Sequence, residues 1–247
     1  MRVVVLIKST QDRPEGDAKG ESPTAAPREL APCDLAALAW GRKLVSDPND
    51  LTVLTAAPPS SDPVLQRALE HGAGRACRVW MTTPQDAHEV QPNPRAIGEL
   101  LAATLERIGY DLVIAGSRSA DWDSTITPAA VGFYLGVPHV SGVTEVEALT
   151  ENEVRLTHPR EHEVLSLKLN LPALIATCAG PGSFQPGQAS EEVPPEIEVI
   201  NDVDLAFELE DPSPYHELPA DIEHSAPRRL ANSEELLDTL RRWRATL

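Results

Sequence analysis

The stretch DLVIAGSRSADWDSTITPAA, at residues 111–130, decides the fold class of this chain. It begins with an apolar run that predicts a β-strand buried on both faces. It ends with Thr127 and Pro128, a pair typical of a helix N-cap and the first helical position. A buried strand that passes through a short loop into a helix is the repeating unit of an α/β fold.

The same alternation of strand and helix patterns covers the first two thirds of the chain. Helices are expected to start at Asp62-Pro63 and at Asn93-Pro94, between the predicted strands. The strands are predicted at VVVLI (3–7), LTVLTA (51–56), RACRVWM (75–81) and DLVIAG (111–116). Strands separated by helices favour right-handed crossovers. We therefore expect a three-layer α/β sandwich, with a mostly parallel, Rossmann-like sheet between helices.

The last third of the chain changes character. Residues 139–178 alternate with period two, which favours antiparallel strands or an extended edge of the sheet. From Leu169 to Pro227 there is no Lys or Arg, and acidic residues crowd 191–224. The chain ends with NSEELLDTLRRWRATL (232–247), a capped helix with an apolar stripe that needs a docking surface. We therefore divide the chain into an α/β domain (1–190) and an acidic C-terminal arm with a terminal helix (191–247).

Composition restricts the function classes. The chain has 21 basic and 38 acidic residues, a net charge of −17. Such a surface repels nucleic acid and anionic lipid. No apolar run approaches the roughly 20 residues that span a bilayer, and MRVVVLIK is too short for a signal peptide. Three cysteines that are far apart, Cys33, Cys77 and Cys178, indicate a reducing cytosol without a structural disulfide.

Motifs that carry bond chemistry are missing from the sequence. We find no nucleophile elbow, Walker loop, GxGxxG turn or cysteine–histidine metal set, so we predict no catalytic residue and no metal ligand. His158 and His162 are four residues apart, but Pro159 would break a helix that aligned them, so an exposed turn is favoured.

The loop after Gly116 is the candidate binding site, because ligands of doubly wound sheets lie beyond the carboxyl ends of strands. A helix N-terminus there would offer backbone N–H groups to an anion such as phosphate. Hydroxyls would come from Ser124, Thr125 and Thr127. Asp121 and Asp123 would cap the turn or accept hydrogen bonds from ribose hydroxyls and an adenine amine. A Mg²⁺ bridge and a ligand-free turn remain open alternatives.

An ordered set of motifs resembles the beta subunit of electron transfer flavoproteins. In chain order, the set consists of VVVLIK ending at Lys8, Ala31-Pro32-Cys33-Asp34, ALEHGAGR (68–75), Gly116 with Asp121, Asp123 and Thr127, LKLNLPALIAT (167–177) and APRRLANSEELLDTL (226–240). No single motif is specific, but their order and spacing together are.

This resemblance implies a nucleotide-binding electron carrier rather than an enzyme. The chain would form a heterodimer with an alpha subunit that holds most of the FAD, and would itself bury an AMP or a second FAD. The terminal helix would dock on that partner. Carried over by position, the pocket would use Leu6, Ala31, Pro32, Cys33, Asp34, Ala56, Gly116, Ala120, Asp121, Trp122, Asp123, Ser124, Thr125, Ile126, Thr127, Pro128, Ala129 and Ala130.

Departures from the family pattern shape the expected partners. Ala31 replaces an Asn, Cys33 replaces an aromatic residue, and the aromatic expected near Arg13 is absent. The acidic stretch 191–224 stands where the family has a lysine-rich recognition loop, which implies a dedicated dehydrogenase. The alternative is a non-redox nucleotide-binding scaffold of the same fold. An adenylate-handling enzyme is disfavoured because its Ser-Gly-Gly-x-Asp-Ser or His-x-Gly-His signature is missing.

Overall fold

The computed structural model describes residues 1–8, 30–80, 94–119, 124–177, 196–201 and 205, which all belong to one compact unit, Met1–Glu210. Its helices are α1 (Pro32–Leu44), α2 (Asp62–Glu70), α3 (Pro94–Ile108) and α4 (Ile126–Leu135). Its strands are β1 (Val3–Leu6), β2 (Leu51–Ala56), β3 (Arg75–Trp80), β4 (Leu112–Gly116), β5 (His139–Val143), β6 (Glu145–Thr150), β7 (Glu153–Pro159), β8 (Val164–Asn170), β9 (Ala173–Thr177) and β10 (Ile197–Asn201).

Seven strands form the central sheet in the order β10-β3-β2-β1-β4-β9-β5. Every pairing in this sheet is parallel. The chain moves outward from β1 to β3 on one side, then crosses back to place β4 on the other side of β1. The strand order therefore reverses between β1 and β4, which is where doubly wound sheets bind ligands.

Two apolar cores cover the two faces of this sheet, so the predicted three-layer architecture is confirmed. Alternate residues of each strand point to opposite faces, as in Val3 and Val5 against Val4 and Leu6. α1 and α2 bury Leu38 and Leu65 on one face. α3 and α4 bury their apolar side chains on the other.

The period-two segment after residue 139 forms strands, as its alternation predicted. β6, β7 and β8 make a separate antiparallel sheet of three strands. Its buried face, with Val146, Val154 and Leu156, joins the core on the α1 and α2 side. β5 and β9 instead enter the central sheet as parallel strands.

Part of the segment assigned to the C-terminal arm belongs to the sheet. β10 pairs in parallel with β3, where Ile200 lies opposite Val79 and is buried. The domain boundary at residue 190 stays a prediction, because residues 206–247 lie outside the described residues. Cys33 and Cys77 are free thiols, and Cys178 also lies outside the described residues.

Two helices begin one or two residues earlier than their sequence signals indicated. α2 starts at Asp62 itself, with Ser61 in the N-cap position. The Asp62 carboxylate is instead engaged by Arg78 of β3, whose Nε lies 2.7 Å from its Oδ1. The Asp62 side chain, which the sequence pattern assigned to the helix N-cap, thus forms an ion pair with a distant residue instead. His158 lies in β7 and the exposed His162 in the turn after it.

Candidate functional site

The carboxyl edge of the sheet brings together most of the predicted site. Leu6, Ala56 and Gly116 are the last residues of three adjacent strands, β1, β2 and β4. α1 begins with Pro32 beside the end of β1, and α4 follows β4 after the loop. α1 and α4 therefore both begin at this edge, at the switch point where doubly wound sheets have their ligand crevice. The backbone N–H groups of each first helical turn lack intrahelical partners.

Asp34 joins the end of β1 to the start of α1. Asp34 lies in the first turn of α1 and is only 5% exposed to solvent. Its Oδ2 accepts a hydrogen bond from the backbone N–H of Lys8 at 3.0 Å. The carboxylate is therefore turned into the protein, although sequence placed Asp34 among the nucleotide contacts.

Gly116 allows this arrangement because it has no side chain. A Cβ built on Gly116 would lie 2.6 Å from Oδ1 of Asp34 and 2.9 Å from the Cβ of Cys33. Both distances are shorter than real Cβ contacts allow. The end of β4 therefore touches the first turn of α1 directly, and only glycine fits there without displacing its neighbours.

The loop between β4 and α4 is closed by two serines. The Ser119 N–H donates to the Ser124 carbonyl oxygen at 3.0 Å, and the Ser124 N–H donates to the Ser119 hydroxyl at 3.1 Å. Ala120, Asp121, Trp122 and Asp123 span this closure and lie outside the described residues. Their predicted roles, including a Mg²⁺ bridge, stay predictions.

The first turn of α4 consists mainly of small and hydroxyl residues. The helix begins at Ile126 with Thr125 in the N-cap position, so Thr127 and Pro128 are its second and third residues rather than N-cap and first residue. The Thr125 side chain makes no capping bond. The Ser124 hydroxyl instead accepts from the Ile126 N–H at 3.5 Å, which shows why a local pattern of Thr-Pro placed the helix start two residues late.

Within this turn, Thr125, Ile126 and Ala129 are exposed, Thr127 and Ala130 are half-buried, and Pro128 is buried. Thr127 is therefore partly accessible to solvent. Across the crevice, the Ala31 N-cap of α1 makes no side-chain capping bond, as expected from the loss of the family's Asn.

One polar residue at this edge was missed by the sequence reasoning. Thr177 ends β9 and is fully buried. Its hydroxyl donates to the Ala115 carbonyl at 3.3 Å, and its carbonyl accepts from the Ser117 N–H at 2.7 Å. These bonds tie the end of β9 to the start of the loop. A buried Thr at the end of an apolar strand was the only available signal.

The donors around the crevice suit an anion better than a metal. Lys8 and Arg118 are exposed basic residues at the ends of β1 and β4. Within the described ranges, no three His, Cys, Asp or Glu side chains are grouped to hold a metal ion. As a separate point, no helix in that part of the chain is long and apolar enough to cross a membrane. Small residues, hydroxyls and helix N-termini are the usual surroundings of a phosphate.

Comparison with known proteins agrees with the motifs and the fold. Residues 23–205 match the family described as "Electron transfer flavoprotein domain". The chain is also 27% identical, over 186 residues, to the "Probable electron transfer flavoprotein subunit beta" of Schizosaccharomyces pombe, an alignment that covers 72% of this chain and 70% of that protein. The family match covers well over half of the sequence, and the named relative is a beta subunit. The chain therefore belongs to the electron transfer flavoprotein family, on its beta-subunit branch.

Proposed function

We propose that this chain is the beta subunit of a heterodimeric electron transfer flavoprotein. It binds AMP, or a second FAD, in the crevice between β1 and β4. It helps an alpha subunit hold its FAD, and the pair passes electrons from a dedicated dehydrogenase to an acceptor in the cytosol. The chain is an electron-carrier subunit and not an enzyme.

The observation that carries this proposal is the chemistry of the crevice. α1 and α4 both begin at the same sheet edge, where Lys8 follows β1 and Thr127 lies in the first turn of α4. Such donors fit a phosphate, which gains from both helix dipoles.

The flavin would supply the redox chemistry, and this chain would supply binding and exclusion of water. The helix predicted at 232–247, at the end of the arm, is proposed to dock on the alpha subunit. The acidic sequence of the arm, in place of a lysine-rich recognition loop, favours a dehydrogenase with a basic docking surface.

A second candidate is a nucleotide-binding scaffold of the same fold without a redox role. It is favoured by Cys33, which stands where the family has an aromatic residue and lies against Gly116 at the site. A chain of this kind would still bind AMP but would not support a flavin in a partner.

Co-expression with the flavoprotein-like gene nearest to it separates these candidates. We expect a yellow heterodimer whose visible spectrum shows FAD that is bleached by a reductant. The matched control is the same pair with residues 232–247 removed, which should weaken copurification. A colourless chain that binds AMP and no partner would contradict the electron-transfer role and support the scaffold.

A further inference from the structure

Asp34 is a buried residue that holds neighbouring backbone in place at the candidate site. Its carboxylate is buried at the start of α1 and accepts the Lys8 N–H at 3.0 Å. Lys8 is the second residue after β1, so this bond fixes the direction in which the chain leaves that strand. The N-terminal half of the α1 dipole stabilises the carboxylate in this position.

Gly116, at the end of the neighbouring strand β4, packs closely against the same carboxylate. The space that a Cβ would occupy at Gly116 lies 2.6 Å from Oδ1 of Asp34. Three elements therefore meet at one side chain: the end of β1, the first turn of α1 and the end of β4. Because the strand order reverses between β1 and β4, this contact lies at the position where doubly wound sheets bind ligands.

A direct contact between this carboxylate and a nucleotide is disfavoured. A carboxylate repels phosphate, and this one already faces a backbone donor inside the protein.

We infer that Asp34 is a positioning residue for the nucleotide, which acts through the Lys8 backbone and the end of β4 and does not touch the ligand. This inference rests on the proposed function, and it assigns to Asp34 a different role from that of the other motif residues. The inference predicts that the shape and the acceptor oxygen of the side chain carry most of this role.

Binding of AMP and 2′-deoxyAMP to the full chain, measured by calorimetry for wild type, Asp34→Ala and Asp34→Asn, tests this inference. Removal of a hydrogen bond to a charged group corresponds to about a tenfold effect or more. Asp34→Ala should therefore weaken both nucleotides by the same factor, about tenfold. Asp34→Asn keeps an acceptor oxygen of similar shape and should stay within about threefold of wild type.

The two nucleotides form a double-mutant cycle that separates positioning from contact. If the carboxylate binds the ribose, the preference for AMP over 2′-deoxyAMP shrinks in Asp34→Ala, and this result would overturn the inference. An unchanged AMP affinity in Asp34→Ala would overturn it as well.

Amide hydrogen exchange at Lys8 gives a readout that needs no ligand. Protection should fall in Asp34→Ala and survive in Asp34→Asn, and equal protection in all three proteins would refute the link between Asp34 and Lys8. Wild-type protein that carries neither AMP nor FAD, and binds neither when it is added, contradicts the proposed function, and with it the positioning role, whatever the exchange shows.

Asp47→Ala is the matched control. Asp47 also accepts a backbone N–H, that of Asn49, at 2.9 Å. It precedes β2 and so lies at the opposite edge of the sheet. Its loss should lower stability without changing the affinity for either nucleotide.

Discussion

Replacement of Gly116 by alanine is the sharpest perturbation of the crevice that the structure offers. The new Cβ would lie 2.6 Å from Oδ1 of Asp34, whereas ordinary contact begins at 3.4 Å. The Asp34 carboxylate must therefore retreat by about 0.8 Å, the difference between these distances. A displacement of that size is enough to break its 3.0 Å bond with the Lys8 N–H. The Cβ of Cys33, at 2.9 Å, must move as well.

The cost follows from these contacts. A lost hydrogen bond to a charged group and the strain of overpacking together destabilise by about 2–3 kcal/mol. In a domain of this size, that lowers the Tm by about 6 °C. Thermal unfolding followed by circular dichroism measures the stability, and calorimetry measures AMP binding, which should weaken by about tenfold because the crevice changes shape.

Gly136→Ala is a suitable control for this variant. Gly136 ends α4 with a φ of +64° and has no atom within 4 Å of an added Cβ. Left-handed backbone costs alanine about 1–2 kcal/mol, so its stability should fall while its AMP affinity stays unchanged. A Gly116→Ala protein with wild-type Tm and wild-type AMP affinity would refute the account of this contact.

Three further predictions concern other parts of the fold. Burial, with a smaller effect of Glu198, raises the pKa of Cys77 from 9.0 to about 12. The folded state thus holds this proton longer than the unfolded state, so stability is lost as pH rises above 9. Chemical denaturation should show wild type losing about 2 kcal/mol more than Cys77→Ala between pH 9 and 10.5, and equal losses would contradict the burial effect. Gly98→Ala should destabilise the fold, although the same change stabilises an ordinary helix by about 1 kcal/mol, because its Cβ would lie 2.5 Å from that of Ala130 in α4; a raised Tm would disprove the close crossing of α3 and α4. Thr127→Glu should abolish AMP binding in calorimetry by placing a carboxylate at the start of α4, whereas Thr127→Ser should preserve it, and AMP binding by the Glu variant would remove Thr127 from the site.

The architecture could be predicted because it rests on local patterns. Branched apolar runs such as residues 3–7 and 51–56 have no polar face, so they fit only strands covered on both sides. The helices between them then require a parallel sheet. Period-two alternation after residue 139 likewise identified strands, although it could not tell which of them would leave the central sheet.

The remaining features depend on contacts between distant residues. β10 lies in an acidic stretch and has only one fully buried residue, Ile200, so its sequence pattern for a strand is weak. It forms a strand through its pairing with β3, which is distant in sequence. The inward turn of Asp34 depends on a glycine 82 positions away, since 116 − 34 = 82. Local patterns in the sequence could therefore not predict the contact between Asp34 and Gly116, and the nucleotide contacts at this edge stay predictions.

The nucleotide content of the purified chain tests the central proposal most directly. The native protein would be denatured with acid, and the supernatant would be quantified for adenine nucleotides by liquid chromatography and mass spectrometry. The account predicts about one AMP per chain, or one FAD in its place, because a single switch-point crevice holds it. A nucleotide-free extract, together with no heat of binding when AMP is added to the native chain, would contradict it.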